Sequence, residues 1–450
     1  MSYRKSVCAR LLVASTSLVL SGMTARAEVR VPAVFSSHMV LQRDLPVPLW
    51  GTAAPGEKVT VSFRRQEKSA AADANGKWLV RLAPLKAGGP DTLKISGTNT
   101  IELADVLVGE VWVGSGQSNM DGSADNYVQI DDVLAKMVSG GPYPQVRLFY
   151  ENRWKESTPT NNLKFSALLL AFGLPLQKEL GVPVGLMKSA QGATASRHWL
   201  GQEAFDADPA CKEAVLKMTA VRGADKLLPS QLWGAIKVGG LYESRIRPMI
   251  PYGIRGVFWD QGEAGTDMAG VDQYTLMGAL IRGWREDWGQ GAFPFLYVQK
   301  PSGPGCAWDY DDPVTRLAQK FAPLPGNVPG AGAGQEVYSY LRIMRYPNTA
   351  MVTSSDLGIK NHPDNKSGYG ARAARVAMGM VYGRKVEVYG PVYQSHKVEG
   401  DKVRVSFTHV GQGLAWRHGD KTSGLCRRRR DKEMVLGRCR DRRQDGGGIQ

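Results

Sequence analysis

The chain contains 450 residues, enough for one large domain and a smaller one with a sizeable core. Its formal net charge is +15 at pH 7, but much of the excess lies in residues 1–27 and 426–450, and the remainder is spread along the chain. The charge pattern therefore gives no indication of a nucleic-acid-binding protein. After residue 27, no run approaches the roughly 20 apolar residues that a membrane-spanning helix needs, so the sequence predicts no membrane anchor.

Residues 1–27 have the three parts of a secretory signal peptide in the usual order. Arg4, Lys5 and Arg10 give a positive start, a mostly apolar stretch follows over 11–23, and Ala25-Arg26-Ala27 forms a cleavage site of the small-x-small type. The sequence therefore predicts an exported protein, either secreted or periplasmic.

Residues 28–105 are predicted to form an N-terminal β-sandwich module. Short alternating runs such as "VTVSF" recur about every ten residues, and an Asn75-Gly76 turn leads into the strand "KWLVRL". The module offers no catalytic cluster, so a supporting or carbohydrate-facing role is expected of it.

Strands alternate with helices over residues 106–385, a pattern typical of a parallel sheet covered by helices on both faces. The predicted strands lie at 106–116, 182–190, 254–260, 293–299 and 349–358, and the predicted helices at 165–180, 235–250, 274–289 and from about 366. Residues 303–335, rich in Gly, Pro and Ala, are predicted to form a long loop. Residues 386–425 look like an incomplete β segment.

Residues 426–450 form an aberrant basic tail with excess Arg and Gly and no apolar period. One interpretation is a disordered tail that meets an acidic surface. The interpretation we favour is a frameshift, because a one-base shift turns the codons of Met434-Val435 into a tryptophan codon and the following codons into ordinary strand sequence.

Cysteine usage gives no disulfide framework. Outside the signal peptide and the tail only Cys211 and Cys306 remain, and whether they pair is open. No Cys-x-x-Cys or His/Cys cluster indicates a metal site, and we expect neither a metal nor an organic cofactor.

Polar residues gather where the predicted strands end. Ser118, Gly192, Gln261, Glu263 and His362 all lie at or just beyond such ends. Because open α/β sheets bind ligands at the carboxyl ends of their strands, these residues are expected to meet at one edge. Ser118 follows the strand "VWVGSG" and needs a base to act as a nucleophile.

His362 is the best candidate for that base among the few histidines of the chain. It precedes Pro363, which keeps it out of helical geometry, in a turn between a strand and a helix. The base needs a carboxylate to orient it, and both Glu263 and Asp356 fit this role.

An ester's tetrahedral intermediate also needs hydrogen-bond donors for its oxyanion. The candidates are the backbone N–H of Ser118, the N–H of Gly192, where a side chain would block the substrate, and the side-chain amide of Gln261.

Four blocks of the sequence, taken together, resemble the sialate O-acetylesterase family of SGNH (GDSL-like) carbohydrate esterases. They are "VGEVWVGSGQSNM", "GVPVGLMKSAQGATASRHW", "GVFWDQGEAG" and "DLGIKNHPDNKSGYGARAA", and "HMVLQRDLPVPLWG" resembles the family's leading β module. The resemblance implies an SGNH-type three-layer α/β fold, with Ser118 as nucleophile, His362 as base, and Gly192 and Gln261 in the oxyanion hole.

The sequence departs from the family pattern at three points. Ile359 stands where many SGNH enzymes have an aspartate, so the resemblance favours Glu263 over Asp356 as the triad acid. Asp260 stands where relatives often have Tyr or His, and its negative charge next to Gln261 would disfavour an oxyanion. Family members also usually continue with further β structure.

The function expected from these observations is a serine esterase that releases acetate from O-acetylated sialic acid or a related sugar. One alternative is an esterase of acetylxylan or another plant polysaccharide with the same machinery. The other is an inactive glycan-binding protein. The expected partner is the acetylated glycan, without nucleic acid or membrane, and the oligomeric state is open.

Overall fold

The structure is a computed structural model that describes residues 28–213, 238–268, 270–300, 338–354, 357, 361–400, 402–413, 425–428 and 434–437. The predicted signal peptide, the predicted loop over 303–335, Cys306 and Asp356 lie outside the described residues.

The N-terminal module is built from antiparallel strands whose inward side chains alternate with exposed ones. In the strand that follows the Asn75-Gly76 turn, Trp78, Val80 and Leu82 are buried while their neighbours face solvent. The strands are β1 (Val40–Gln42), β2 (Val47–Thr52), β3 (Lys58–Phe63), β4 (Gln66–Ala71), β5 (Lys77–Leu82), β6 (Gly88–Ser96) and β7 (Thr100–Gly116). β2 pairs with β5, while β4, β3, β6 and β7 form a second sheet with β1 at its edge.

Strand β7 runs from the module into the central sheet. Its first half pairs with β1 and β6, and its second half belongs to the parallel sheet that carries the site. The predicted boundary at 105/106 falls at a break in the pairing register with β6, where Asp105 has a φ of 54°. The division of the chain into domains stays a prediction.

The central sheet has the order β13-β12-β11-β7-β10-β8-β9, in which all neighbours are parallel except the edge pair β8-β9. Its further strands are β8 (Tyr143–Tyr150), β9 (Arg153–Ser157), β10 (Val184–Ala190), β11 (Gly256–Asp260), β12 (Phe295–Val298) and β13 (Thr349–Val352). Strands β10, β11, β12 and β13 are buried on both faces, which explains their nearly continuous apolar sequences.

Helices cover both faces of this sheet. They are α1 (Ser118–Asp121), α2 (Asp132–Ser139), α3 (Pro159–Lys164), α4 (Ala167–Leu180), α5 (Gln202–Ala207), α6 (Gln273–Trp288) and α7 (Lys366–Met380). α4 and α7 pack together on one face, where a Cβ at Gly370 would lie 2.3 Å from the backbone of Ala171. α6 packs on the other face through Trp284 and Trp288. The predicted three-layer α/β fold with an N-terminal β module is confirmed.

The predicted helix over 235–250 is irregular in its described part, 238–250. Its described part contains a π-helical turn at Tyr242–Ile246 and a 3₁₀ turn at Arg247–Met249, because Pro248 interrupts regular α-helical hydrogen bonding. None of the helices in the described part of the chain is long and apolar enough to cross a membrane.

After the central sheet, β14 (Val392–Glu399) and β15 (Lys402–Thr408) form an antiparallel hairpin within the predicted β segment. Two short strands, β16 (Leu425–Arg428) and β17 (Met434–Gly437), also pair antiparallel. The frameshift hypothesis for residues 426–450 stays a prediction.

Candidate active site

Ser118 is presented by a tight turn at the carboxyl end of the central strand β7. Gly116 has a φ of 121°, and a Cβ there would lie 2.0 Å from the carbonyl oxygen of Asp260, so the turn requires glycine. The Gln117 N–H donates to that same oxygen over 2.8 Å. The chain is therefore held against strand β11 just before Ser118, which begins helix α1.

The structure brings His362 to Ser118, although 244 positions separate them in the sequence. His362 Nε2 lies 2.6 Å from Ser118 Oγ. His362 belongs to the loop before α7, and the side chain of Asn365 caps that helix by accepting the Gly368 N–H over 2.7 Å. The two side chains thus have the separation that a nucleophile and its general base require.

The pKa of His362 lies below its ordinary value of 6.5. Partial burial of the imidazole is the largest cause, and the positive charge of Lys366 acts in the same direction, while Glu263 acts in the opposite one. At neutral pH the ring is therefore in the uncharged form that accepts a proton.

Glu263 lies in a buried network but does not hold His362 directly. Its carboxylate accepts hydrogen bonds from the side chains of Gln117, Asn119 and Lys300, and the bond from Asn119 measures 2.9 Å. Within the described residues, no hydrogen bond joins Glu263 to His362. Glu263 is thus connected to the loop of His362 through Asn119, and the choice between Glu263 and Asp356 as the triad acid stays a prediction.

A buried lysine forms ion pairs with both acidic residues of this network. Lys300 Nζ is 2.5 Å from both Asp260 Oδ1 and Glu263 Oε1, and its side chain has no exposed surface. Burial alone would raise the pKa of Glu263, but the Lys300 charge and the hydrogen bonds lower it below 4.5. The Tyr369 hydroxyl also donates to Asp260. The negative charge that was expected to disfavour an oxyanion near Gln261 is therefore compensated.

Asn119 connects Glu263 to the loop that carries the histidine. Its Nδ2 donates to Glu263 Oε1 and to the backbone oxygen of Asn361, each over 2.9 Å. Its Oδ1 accepts a hydrogen bond from Lys366. Because Asn361 immediately precedes His362, Asn119 fixes the backbone from which the imidazole projects.

Lys366 is a second buried lysine of this network and follows His362 by four residues in the sequence. It is fully buried, and burial lowers its pKa to about 7. Its ammonium lies 4.6 Å from the centre of the Tyr127 ring, a distance at which cation–π attraction offsets part of the lost hydration.

Sequence reasoning did not identify Asn119, Lys300 or Lys366. A signal was present for two of them, since Asn119 follows the nucleophile directly and Lys366 belongs to the same motif as His362. Lys300 lies two residues beyond the buried strand β12 and is itself buried, which is unusual for a lysine.

The structure places Gly192 next to the nucleophile. A Cβ at Gly192 would lie 3.6 Å from Ser118 Cβ, so any side chain there would fill the space above the serine. Its N–H currently donates to Asp121 Oδ2 over 3.1 Å. The Gly192 N–H is thus near the reacting centre but already paired with a carboxylate.

Gln261 has backbone partners instead of facing the serine. Its amide nitrogen donates to the Thr194 carbonyl over 2.5 Å, and its side-chain oxygen accepts the Gly262 N–H over 3.0 Å. Gln261 is not among the described residues that line the pocket around Ser118. Of the two predicted oxyanion residues, Gly192 therefore lies beside Ser118, whereas Gln261 does not line the pocket around it.

A pocket of about 480 Å³ opens over Ser118 and His362. Gly192 and Tyr127 form part of its wall, and Asp121 and Lys188, paired over 2.9 Å, form another part. We call it the nucleophile pocket. Its volume falls within the range of about 300–1,000 Å³ that is typical of small-ligand sites.

The remaining sequence predictions concern the alternative triad acid, the cysteines and a possible metal site. Asp356 lies outside the described residues, and so does Cys306, whose pairing with the buried Cys211 stays open. In the described part of the chain, one group has metal-ligand spacing: His38, Asp105 and Glu156. Arg147 already pairs with Asp105 over 2.9 Å, which disfavours a cation there.

Known proteins with a similar sequence belong to one family of esterases. Residues 108–363 match the family model of the sialic acid-specific acetylesterases, a group of carbohydrate esterases. Human sialate O-acetylesterase is 27% identical over 431 residues, covering 85% of this chain and 77% of that protein. The mouse enzyme is 26% identical over 419 residues, covering 79% and 74% respectively.

A solved structure also resembles the chain over nearly its whole length. A carbohydrate acetylesterase from Xanthomonas citri superposes with a TM-score of 0.73 at 27% identity, covering 92% of this chain and 89% of the other. The family match spans more than half of the chain and includes both Ser118 and His362. The chain therefore belongs to the sialic acid-specific acetylesterase family of carbohydrate esterases and is a carboxylic ester hydrolase.

Proposed function

We propose that this esterase is exported through its predicted signal peptide and removes O-acetyl groups from sialic acid or a related sugar by way of an acetyl-enzyme on Ser118. The observation that carries the proposal is the 2.6 Å approach of Ser118 Oγ and His362 Nε2 in an open pocket. Family membership supports an acetylated sugar as the substrate.

In the first half-reaction, Ser118 Oγ attacks the acetyl carbonyl while His362 Nε2 takes the hydroxyl proton. The tetrahedral intermediate then collapses, and the sugar oxygen leaves with the proton that His362 returns. In the second half-reaction, His362 removes a proton from water, which attacks the acetyl group. Acetate leaves, and Ser118 regains its proton.

The oxyanion is stabilised by the Ser118 N–H and, we propose, by Gly192 and Gln261. Gly192 becomes available when the Asp121 carboxylate turns from its N–H towards Lys188, with which it already pairs. The Gln261 amide carries a second hydrogen beside the one given to Thr194, and in this proposal its side chain turns towards the nucleophile pocket when the oxyanion forms. Each such donor contributes about 3 kcal/mol to transition-state stabilisation.

Glu263 acts through Asn119 in this proposal. Its hydrogen bond to Asn119 steadies the loop before His362, and its negative charge favours the imidazolium that forms during the reaction. Glu263 is therefore a positioning residue here rather than a direct hydrogen-bond partner of the imidazole.

Replacing Ser118 with alanine tests the proposal. The exchange removes the attacking oxygen and little volume, so acetate release from 4-nitrophenyl acetate is expected to fall by at least about a thousandfold. Acetylated sialic acid and acetylated xylan, assayed side by side, distinguish the two sugar classes. A parent protein that retains glycan but releases no acetate would contradict the proposal.

The pH dependence of kcat/KM is expected to reflect the lowered pKa of His362. Activity needs the uncharged imidazole, so it falls as the pH drops through that pKa. Because burial lowers the pKa, the midpoint of this acid limb is expected below pH 6.5. A profile of acetate release between pH 4 and 9 measures it, and a midpoint above 6.5 would contradict the assigned environment.

A further inference from the structure

A second, larger pocket adjoins the nucleophile pocket. It has a volume of about 790 Å³, and Asp121, Lys164 and Lys188 line both pockets. The two pockets therefore lie side by side along these three residues. We call the second one the outer pocket.

The N-terminal module and the central sheet build the outer pocket together. Pro32, Ala33 and Val34 come from the start of the module, and Glu151 and Asn152 come from the turn between β8 and β9. A substrate that extended beyond the acetylated sugar would therefore contact the module, which otherwise has no part in the chemistry.

The outer pocket carries an excess of positive charge. Its acidic residues are paired, Asp121 with Lys188 over 2.9 Å and Glu151 with Lys155 over 2.6 Å. The exposed guanidinium of Arg245 donates to the uncharged side chain of Gln191 over 2.8 Å. Lys164 is exposed, and within the described residues it has no ion pair.

Arg245 also links the outer pocket to the reacting centre. Gln191, which accepts its hydrogen bond, immediately precedes Gly192 beside Ser118. A group bound at Arg245 therefore lies next to the turn that carries a candidate oxyanion donor.

We propose that the outer pocket binds the sugar linked to the acetylated one and that Arg245 recognises a carboxylate on this linked sugar. The inference rests on the proposed function, since it assumes that the acetylated sugar occupies the nucleophile pocket. Each pocket is large enough for a ligand of its own. Arginine binds carboxylates through two parallel hydrogen bonds, which gives direction as well as affinity.

The test compares kcat/KM for three substrates: free O-acetylated sialic acid, disialic acid with the acetyl group on its terminal unit, and the same acetylated sialic acid linked to lactose. The parent is expected to prefer the disialic substrate over the free sugar by about tenfold, the low end of the range for hydrogen bonds to a charged group. Arg245→Ala is expected to reduce this preference to about twofold or less.

Two further variants support the comparison. Ala33→Trp places a bulky side chain at the module's edge of the outer pocket and is expected to remove the same preference by blocking space rather than by changing charge. Arg65→Ala removes an exposed arginine elsewhere on the module and is expected to leave all three values unchanged.

Equal kcat/KM values for the free and disialic substrates in the parent would overturn the proposal. So would a loss in Arg245→Ala that is the same for every substrate, or a gain for the lactose-linked substrate equal to that for the disialic one. A parent that hydrolyses none of the sugars and whose action on 4-nitrophenyl acetate does not depend on Ser118 would instead overturn the proposed function, and this proposal with it.

Discussion

Replacing His362 with alanine is expected to lower kcat/KM for 4-nitrophenyl acetate by at least about a thousandfold. In the proposed mechanism His362 Nε2, which lies 2.6 Å from Ser118 Oγ, is the base, and without it the hydroxyl would keep its proton at neutral pH. A small activated ester is the appropriate substrate, because its binding does not depend on sugar contacts. The measurement is the initial rate of 4-nitrophenol release.

The double variant Ser118→Ala/His362→Ala makes this prediction sharper. Residues that act as one unit lose nearly all of their effect when either is removed, so the double variant is expected to be within about tenfold of each single one. His396→Ala, which changes an exposed histidine on β14, is the matched control and should retain full activity. If the fold-losses in kcat/KM of the two single variants multiplied in the double variant, Ser118 and His362 would be shown to act independently.

Much of the fold was predictable because its signals are local. The alternation of buried and exposed residues in β5 and the glycines at the end of β7 are properties of short segments. The continuity of β7 was not predictable. A strand that pairs with the module at one end and with the central sheet at the other depends on partners far away in the sequence.

The proximity of Ser118 and His362 could be expected, because both follow strands of one parallel sheet. The network beneath them could not. Lysines are rarely buried, and Lys300 and Lys366 are stable inside the protein only because Asp260, Glu263 and Asn119 surround them. No local pattern predicts such partners, since they come from different strands and loops.

Glu263→Gln is expected to reduce kcat/KM by about a hundredfold, and Asp356→Asn by less than about tenfold. The first exchange keeps the shape of the side chain but removes the charge that Lys300 and Asn119 contact. Both variants are assayed on 4-nitrophenyl acetate, with the free energy of unfolding measured in urea to separate lost activity from lost folding. The reverse order of effects would assign the triad acid to Asp356.

The pH profile of Glu263→Gln separates an electrostatic role from a merely structural one. The negative charge of Glu263 raises the pKa of His362, against the lowering by burial and by Lys366. Removing that charge should therefore shift the acid limb of kcat/KM to a lower pH, whereas a loosened loop would reduce the rate without shifting the limb in this direction. Asn119→Ala breaks the hydrogen bonds to Glu263 and Asn361 but keeps the carboxylate. If this variant loses as much activity as Glu263→Gln while its acid limb stays in place, the charge of Glu263 and the position of the loop before His362 contribute separately. An acid limb that stays in place in Glu263→Gln would mean that the carboxylate acts on the imidazole only through the position of its loop.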